Sequence, residues 1–435
     1  AAHRGLDRVV VHQHDRCDAD TRGTGTGCNI AGNQIKIGIR IGGDQHIAAG
    51  RDPGSGAGIR AAADGTAGVG IEHVDRCGAG NGNGLAEAER GHDRGDVLEG
   101  LGANDHVVAG IDDGTGPDPC LGLLVDDADI GTRADTLRRN PEARRLFFRP
   151  DGSDYVLGDT WRQPDLAWTL EQIVREGHDG FYRGEVAARI VAEMERGDGL
   201  ITAEDLAGYR AVEREPVRGS FRGYEVVSTP PPSSGGVHIL QILNILEKDD
   251  LAALGHNSAA YLHLLAEAMK RAYADRSEYL GDPDFVDVPV AQLIDKAYAR
   301  GLRRDIHPTR ATPSSAVAPG LPAPAESRDT THYTIADSKG NVVSNTYTLN
   351  FSFGSHIAVP GTGILLNNEM ADFAASPGSA NAYGLVQGER NRIEGGKRPL
   401  SSMSPSLVLK DGRAWLATGS PGGSLIITAV LQTLL

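Results

Sequence analysis

The chain has 435 residues, 40% of them apolar, four cysteines and a formal net charge of −15. That length accommodates two or three domains of ordinary size with a sizeable core. The acidic excess argues against nucleic acid or an anionic membrane surface as partner, since both are held through surplus Lys and Arg, and no apolar run approaches the ~20 residues that span a bilayer.

Residues 1–136 contain no Phe, Trp, Tyr or Met and a single lysine, Lys36. Such a segment has few large side chains from which to build a core. We read it as coding sequence translated in the wrong frame or strand, or as a disordered region, rather than as a natural domain. Residues 1–20 also lack the basic-then-apolar order of an export signal. Cys17, Cys28, Cys77 and Cys120 match neither a zinc spacing nor a compact disulfide framework. His12 and His14 would share one side of a strand, but no further ligand completes a metal site, and none is expected. The glycine runs Gly23 to Gly27 and Gly80 to Gly84 read as flexible loops, since neither sits cleanly between a strand and a helix.

From Arg138 onward the pattern is that of an ordinary mixed helix-and-strand protein. Leu166, Leu170, Ile173 and Val174 recur at helical spacing after Pro164, and Gly177 is placed to stop that helix. Val186, Ile190, Val191 and Met194 form a second stripe, ending at Gly197. Thr202 with Asp205 has the spacing of a capping box. A strand over Tyr224 to Val227 enters the Pro- and Gly-rich turn Thr229 to Gly236, whose fixed φ values and close backbone approach suit it to support a pocket. A helix over Asn257 to Asp275 should turn Leu262, Leu265, Ala266 and Met269 inward. The Pro-, Ala- and Ser-rich stretch from Pro308 to Asp329 has no periodicity and reads as an exposed linker.

The run after that linker, DTTHYTIADSKGNVVSNTYTLN, predicts a hairpin of strands Thr331 to Ala336 and Val342 to Leu349 around Asp337 to Asn341. If it is centred on Lys339, Thr348 falls opposite Thr330. Opposed residues have Cβ atoms roughly 5 Å apart, so one hydroxyl reaches the other. Thr346, Thr348 and Asn350 alternate onto one face. Taken alone, the hairpin fits an ordinary Thr-rich surface strand better than a nucleophile at the start of a strand.

TTHYTIADSKGNVVSNTYTLNFSFGS, GTGILLNNEMADF, KRPLSSMSPSLVLKDG and TGSPGGSLIITAVLQ, in this order, resemble the small subunit of gamma-glutamyltransferases. GDTWRQPDLAWTLEQI, GLITAEDLAGYRAVEREPVRG, STPPPSSGGVHILQILNILE and RAYADRSEYLGDPDFV are similar to the latter part of the large subunit. The resemblance implies an α+β, four-layer αββα N-terminal-nucleophile hydrolase fold. It divides the chain into residues 137–329, the later large subunit, and 330–435, the early small subunit. The fold is expected to be incomplete at both ends, because residues 1–136 do not match and the family's small subunit continues further.

The resemblance also implies a precursor that cleaves itself between Asp329 and Thr330, freeing the Thr330 amine as base for its own hydroxyl, with Thr348 holding that hydroxyl. Physical chemistry agrees: a threonine hydroxyl needs an adjacent base, and an α-amine with a pKa near 8 supplies one without histidine. His332 is therefore expected to be structural. By the same resemblance Asn350, Glu369 and Asp372 take the α-amino group of a glutamyl substrate, and Ser401 and Ser402 its α-carboxylate. Gly422 and Gly423 offer backbone N–H groups as an oxyanion hole, and Tyr383 belongs to a lid loop. The family's carboxylate-binding arginine lies early in the large subunit, and no arginine here is assigned to it. The implied activity is γ-glutamyl transfer or hydrolysis on glutathione and related amides, to water or an amino-acid or peptide acceptor, without cofactor, in the periplasm or outside the cell. Alternatives are a glutaryl or cephalosporin acylase of the same fold and a catalytically silent fragment.

Overall fold

The computed structural model describes residues 6–14, 33–41, 109–111, 121–124, 127–156, 159–317, 330–381 and 384–435. The cysteines, the two glycine runs, Asp329 and Tyr383 lie outside these. By internal contacts the chain divides into two units, one of residues 1–44, 190–357 and 365–435, the other of residues 45–189 and 358–364.

The first unit carries the site. Its strands are β1 (Leu6–His14), β2 (Asn33–Ile41), β3 (Val212–Arg214), β4 (Val217–Phe221), β5 (Tyr224–Ser228), β6 (Thr331–Ala336), β7 (Val342–Thr348), β8 (Ser406–Lys410) and β9 (Arg413–Thr418). They form a five-stranded sheet of order β3-β1-β2-β7-β6 and a four-stranded sheet of order β9-β8-β5-β4. The class is mixed helix and sheet, as expected. Residues of the low-aromatic N-terminal segment therefore supply two strands of the larger sheet, with β2 running antiparallel to β7.

Three helices build the core on the smaller sheet: α1 (Gly235–Leu246) packs on the sheet, and α2 (Ala259–Tyr279) and α3 (Leu425–Leu434) pack against α1. Every residue of α1 is buried, with Ile239, Leu240, Ile242 and Leu243 against Val226, Val227, Leu407 and Ile427 in one continuous core. A buried side chain of this kind contributes roughly 1.5–3 kcal/mol. α1 can start so close to the sheet only because its first two residues are glycine. A Cβ on Gly235 would stand 2.2 Å from Ser404 Oγ, and one on Gly236 2.2 Å from the Thr229 carbonyl.

α2 departs from expectation. Leu262 and Ala266 face solvent, and the buried positions are Tyr261, Leu264, Leu265, Ala268 and Ala272, together with Glu267, Arg271, Arg276 and Ser277. The inward face carries charge that an apolar stripe cannot reveal, satisfied partly within the helix and partly by other segments. Glu267 receives Lys270, Arg271 and the Thr312 backbone, which hold its carboxyl down at about 2 despite burial.

In the second unit the helix Pro164–Glu176 forms as expected, but Leu170 and Val174 are exposed, and Thr169 is its buried residue. Thr169 donates to the Thr362 carbonyl at 2.8 Å, so a polar contact helps seat this helix, alongside the half-buried Leu166 and Ile173. The helix Gly184–Arg196 buries Val186, Ile190 and Met194 as predicted. The capping box is present, with Thr202 accepting from Asp205 N–H and Asp205 from Thr202 N–H. The linker is not wholly irregular, for Ser314–Val317 forms one helical turn.

Candidate active site

The hairpin has the predicted register: Tyr347 pairs with Thr331 and Val342 with Ala336, every pair centred on Lys339. Asp337 fixes the turn by accepting from the backbone N–H of Lys339 and Asn341, and Gly340 takes φ of 87°. One residue beyond the last pair, Thr330 Oγ lies 3.4 Å from Thr348 Oγ. The shared face of this hairpin is polar and enclosed: Ser344 and Thr346 are fully buried.

His332 lies on that face opposite Thr346 and bonds its hydroxyl through Nδ1 at 2.8 Å. Burial pushes the imidazole down to about 4, so it is neutral at physiological pH.

After β7 the backbone turns sharply. Asn350 takes φ of 79°, a conformation Asn tolerates better than most residues. Its N–H donates to Thr348 Oγ at 2.9 Å and its Nδ2 to the Asn368 carbonyl at 2.9 Å. Asn368 in turn accepts Phe351 N–H, so the nucleophile strand is stitched to the short 3-10 turn Glu369–Asp372. There Glu369 is buried and Asp372 opens partly to the cleft. Burial pushes the Asp372 carboxyl up to about 7, opposed by the Arg276 charge and by a hydrogen bond with Glu369. The two hydrogen-bonded carboxyl groups thus stand one behind the other beside an open cleft.

The opposite wall is built by a crossing of two loops. Ser401 N–H donates to the Pro232 carbonyl, and Ser234 N–H donates back to the Ser401 carbonyl, each at 2.9 Å. Ser233 Oγ donates to the Met403 carbonyl at 2.7 Å. The Pro-rich turn thus supports the serine loop, as its composition suggested. Ser401 is buried and Ser402 partly open.

The third wall is the start of α3. Gly422 and Gly423 adopt φ of 122° and 53°, so both use backbone freedom that glycine provides. Among the described residues no hydrogen bond occupies the N–H of either. Their position at a helix start suits them to bind a developing oxyanion.

These walls enclose one cleft of about 310 Å³, counting its open mouth, lined by Thr330, Thr348, Asn350, Asp372, Ser401, Ser402 and Gly423. Of the residues predicted for the site, Glu369 stands behind Asp372 and Gly422 beside Gly423 without lining the cleft. Leu385, Met403, Ser424 and Ile426 line it without having been anticipated. Their only sequence signal is adjacency to predicted site residues, since apolar lining looks like core.

A family model described as gamma-glutamyltranspeptidase matches residues 126–435. The chain is 54% identical over 314 residues to the glutathione hydrolase proenzyme of Escherichia coli (strain K12), covering 72% of this chain and 54% of that protein. It is 44% identical over 305 residues to the acylase ACY 1 proenzyme of Pseudomonas sp. (strain SE83), covering 70% of this chain and 52% of that protein. Among solved structures, the cephalosporin acylase of Bacillus halodurans matches with a TM-score of 0.60 at 27% identity, over 72% of this chain and 55% of that one. The chain spans about half the length of the curated relatives it matches.

Proposed function

Because the chain belongs to the gamma-glutamyltranspeptidase family, we propose that it cleaves itself between Asp329 and Thr330 and then transfers or hydrolyses γ-glutamyl groups of glutathione and related amides. The observation that carries this reading is the cleft itself: Thr330 and Thr348 hydroxyls 3.4 Å apart, facing an acid pair on one side and paired serines on the other.

In the precursor, Thr330 Oγ attacks the Asp329 carbonyl carbon. The acyl group shifts from nitrogen to oxygen, and water cleaves the ester, leaving an Asp329 carboxylate and a Thr330 amine. In turnover that amine takes the hydroxyl proton as Oγ attacks the donor's γ-carbonyl. The N–H groups of Gly422 and Gly423 hold the oxyanion, a contribution of roughly 3 kcal/mol per donor. The leaving amine departs with the proton, and water or an acceptor amine then releases the acyl group from Thr330. His332, neutral and committed to Thr346, takes no part as base.

Glu369, Asp372 and Asn350 suit the donor's α-ammonium, and Ser401 and Ser402 its α-carboxylate. A glutaryl group has no ammonium for the acid pair, so the acylase alternative raised by the ACY 1 likeness is disfavoured. The two sheets, with α1 on the smaller one and α2 and α3 behind α1, fit the αββ part of a four-layer αββα arrangement. The reading divides the described chain at Thr330 into large- and small-subunit parts of one precursor and puts the protein in the periplasm or outside the cell, which fractionation checks. No described helix is long and apolar enough to cross a membrane.

The test is denaturing electrophoresis with N-terminal sequencing, joined to hydrolysis of a γ-glutamyl anilide. The expected result is two bands, the smaller beginning at Thr330, and turnover that Thr330→Ala abolishes together with cleavage. A single band without turnover supports a silent fragment, and preference for a glutaryl anilide supports the acylase. For residues 1–136, resequencing upstream of Leu137 tests the wrong-frame origin. An intact frame encoding a protease-resistant segment overturns it, and the pairing of β2 with β7 makes that outcome a concrete one to look for.

A further inference from the structure

Arg276, near the C-terminal end of α2, is 2% exposed, and among the described residues no carboxylate lies within salt-bridge distance of it. A buried guanidinium without an ion pair is costly and calls for a compensating anion. Two of its nitrogens are engaged: Nε donates to Ser234 Oγ at 2.9 Å and Nη2 to Ser402 Oγ at 3.3 Å. Its buried Nη1 has no hydrogen-bond partner among the described residues.

The direction of these bonds matters. Ser402 accepts from Arg276, and among the described residues nothing accepts the Ser402 proton. The hydroxyl is therefore poised to donate, and Ser402 lines the cleft with Thr330 and Asp372. Ser234, held by the same guanidinium, donates to the Ser401 carbonyl at 2.8 Å, so one cation braces both serines of the loop.

We propose that Arg276 is a positioning residue for the donor's α-carboxylate, orienting the Ser402 hydroxyl toward the cleft and supplying positive charge from behind it. This rests on the reading that Ser401 and Ser402 take that carboxylate. The bound anion completes the environment of Arg276, which among the described residues is offset by Tyr273 and Asp372.

The test compares a γ-glutamyl anilide with the 4-aminobutyryl anilide, which lacks only the α-carboxylate, in wild type, Arg276→Met, Arg276→Lys and Ser402→Ala. For Arg276→Met, kcat/KM on the γ-glutamyl donor falls about 10- to 100-fold, chiefly through KM, as expected for a lost hydrogen bond to a charged group. On the 4-aminobutyryl donor it changes little. Arg276→Lys shows the same selectivity at smaller size, and combining it with Ser402→Ala adds nothing. Equal loss on both donors, or loss on neither, overturns the proposal. If Arg276→Met does not fold, the lysine variant's donor ratio decides. Failure of the underlying function looks different, because the wild type then hydrolyses neither anilide. Calorimetric binding of L-glutamate against 4-aminobutyrate to Thr330→Ala, with and without Arg276→Met, then decides for Arg276.

Discussion

Replacing Asp372 by Asn should stabilise the unliganded protein while weakening its grip on the donor. Burial holds the Asp372 carboxyl at about 7 instead of its ordinary 3.8. A carboxyl whose pKa is raised on folding costs nothing below the unfolded value, and the cost grows between pH ~4 and ~7 and is constant above. The full shift corresponds to roughly 4 kcal/mol, and water at the partly open side chain brings it to about 2 kcal/mol. Asn keeps an amide that can donate to Glu369 and removes the charge. Thermal unfolding should therefore occur a few degrees higher for Asp372→Asn at pH 8, with the difference vanishing toward pH 4. In the same protein, losing one charge opposite the donor's ammonium should raise KM about 10- to 100-fold with a smaller change in kcat. The wild-type KM should fall as pH rises through about 7, and Asp372→Asn should lose that limb. Equal melting temperatures at pH 8, or an unchanged KM, would refute this account of the acid pair.

Thr348→Val removes the hydroxyl beside Thr330 Oγ and the acceptor of Asn350 N–H, so self-cleavage and turnover should both slow by about tenfold or more, measured by gel densitometry and anilide hydrolysis. Gly236→Ala drives a methyl group to 2.2 Å from the Thr229 carbonyl and should cost about 1–3 kcal/mol or prevent accumulation of folded protein, read by denaturant unfolding. Burial holds His238 at about 3 and His332 at about 4. Both fold as neutral rings, so stability should be lost as pH falls from about 6.5 through these values, and His238→Phe should lessen that acid sensitivity in urea titrations at pH 4.

The hairpin was legible because local chemistry fixes it. Asp337, Gly340 and the alternation of β7 leave one register, and that register sets Thr330 beside Thr348. The capping box at Thr202 was legible for the same reason. The inward face of α2 was not. Glu267 and Arg271 pair with each other locally, but they and Arg276 also bond groups 34 to 126 residues away in sequence, and no local pattern reports those partners. The exposed Leu170 and Val174 show the converse, since an apolar stripe states a preference that the described surroundings need not satisfy. Arg276 was not legible either, being a charged residue one position beyond the predicted end of that helix.

The smaller sheet gives the proposed cut an unusual character. β8 lies between β9, its neighbour in sequence, and β5, from before the cut, with Ser406 paired to Ser228. Backbone bonds join Pro232 to Ser401 and Ser401 to Ser234 across the same divide. A break at residue 329 therefore severs a covalent connection without creating a surface at which the halves could part. The two polypeptides would remain interwoven strand by strand, and dilution alone would not separate them. Separating them means melting the sheet, so loss of the small chain should coincide with global unfolding and never precede it.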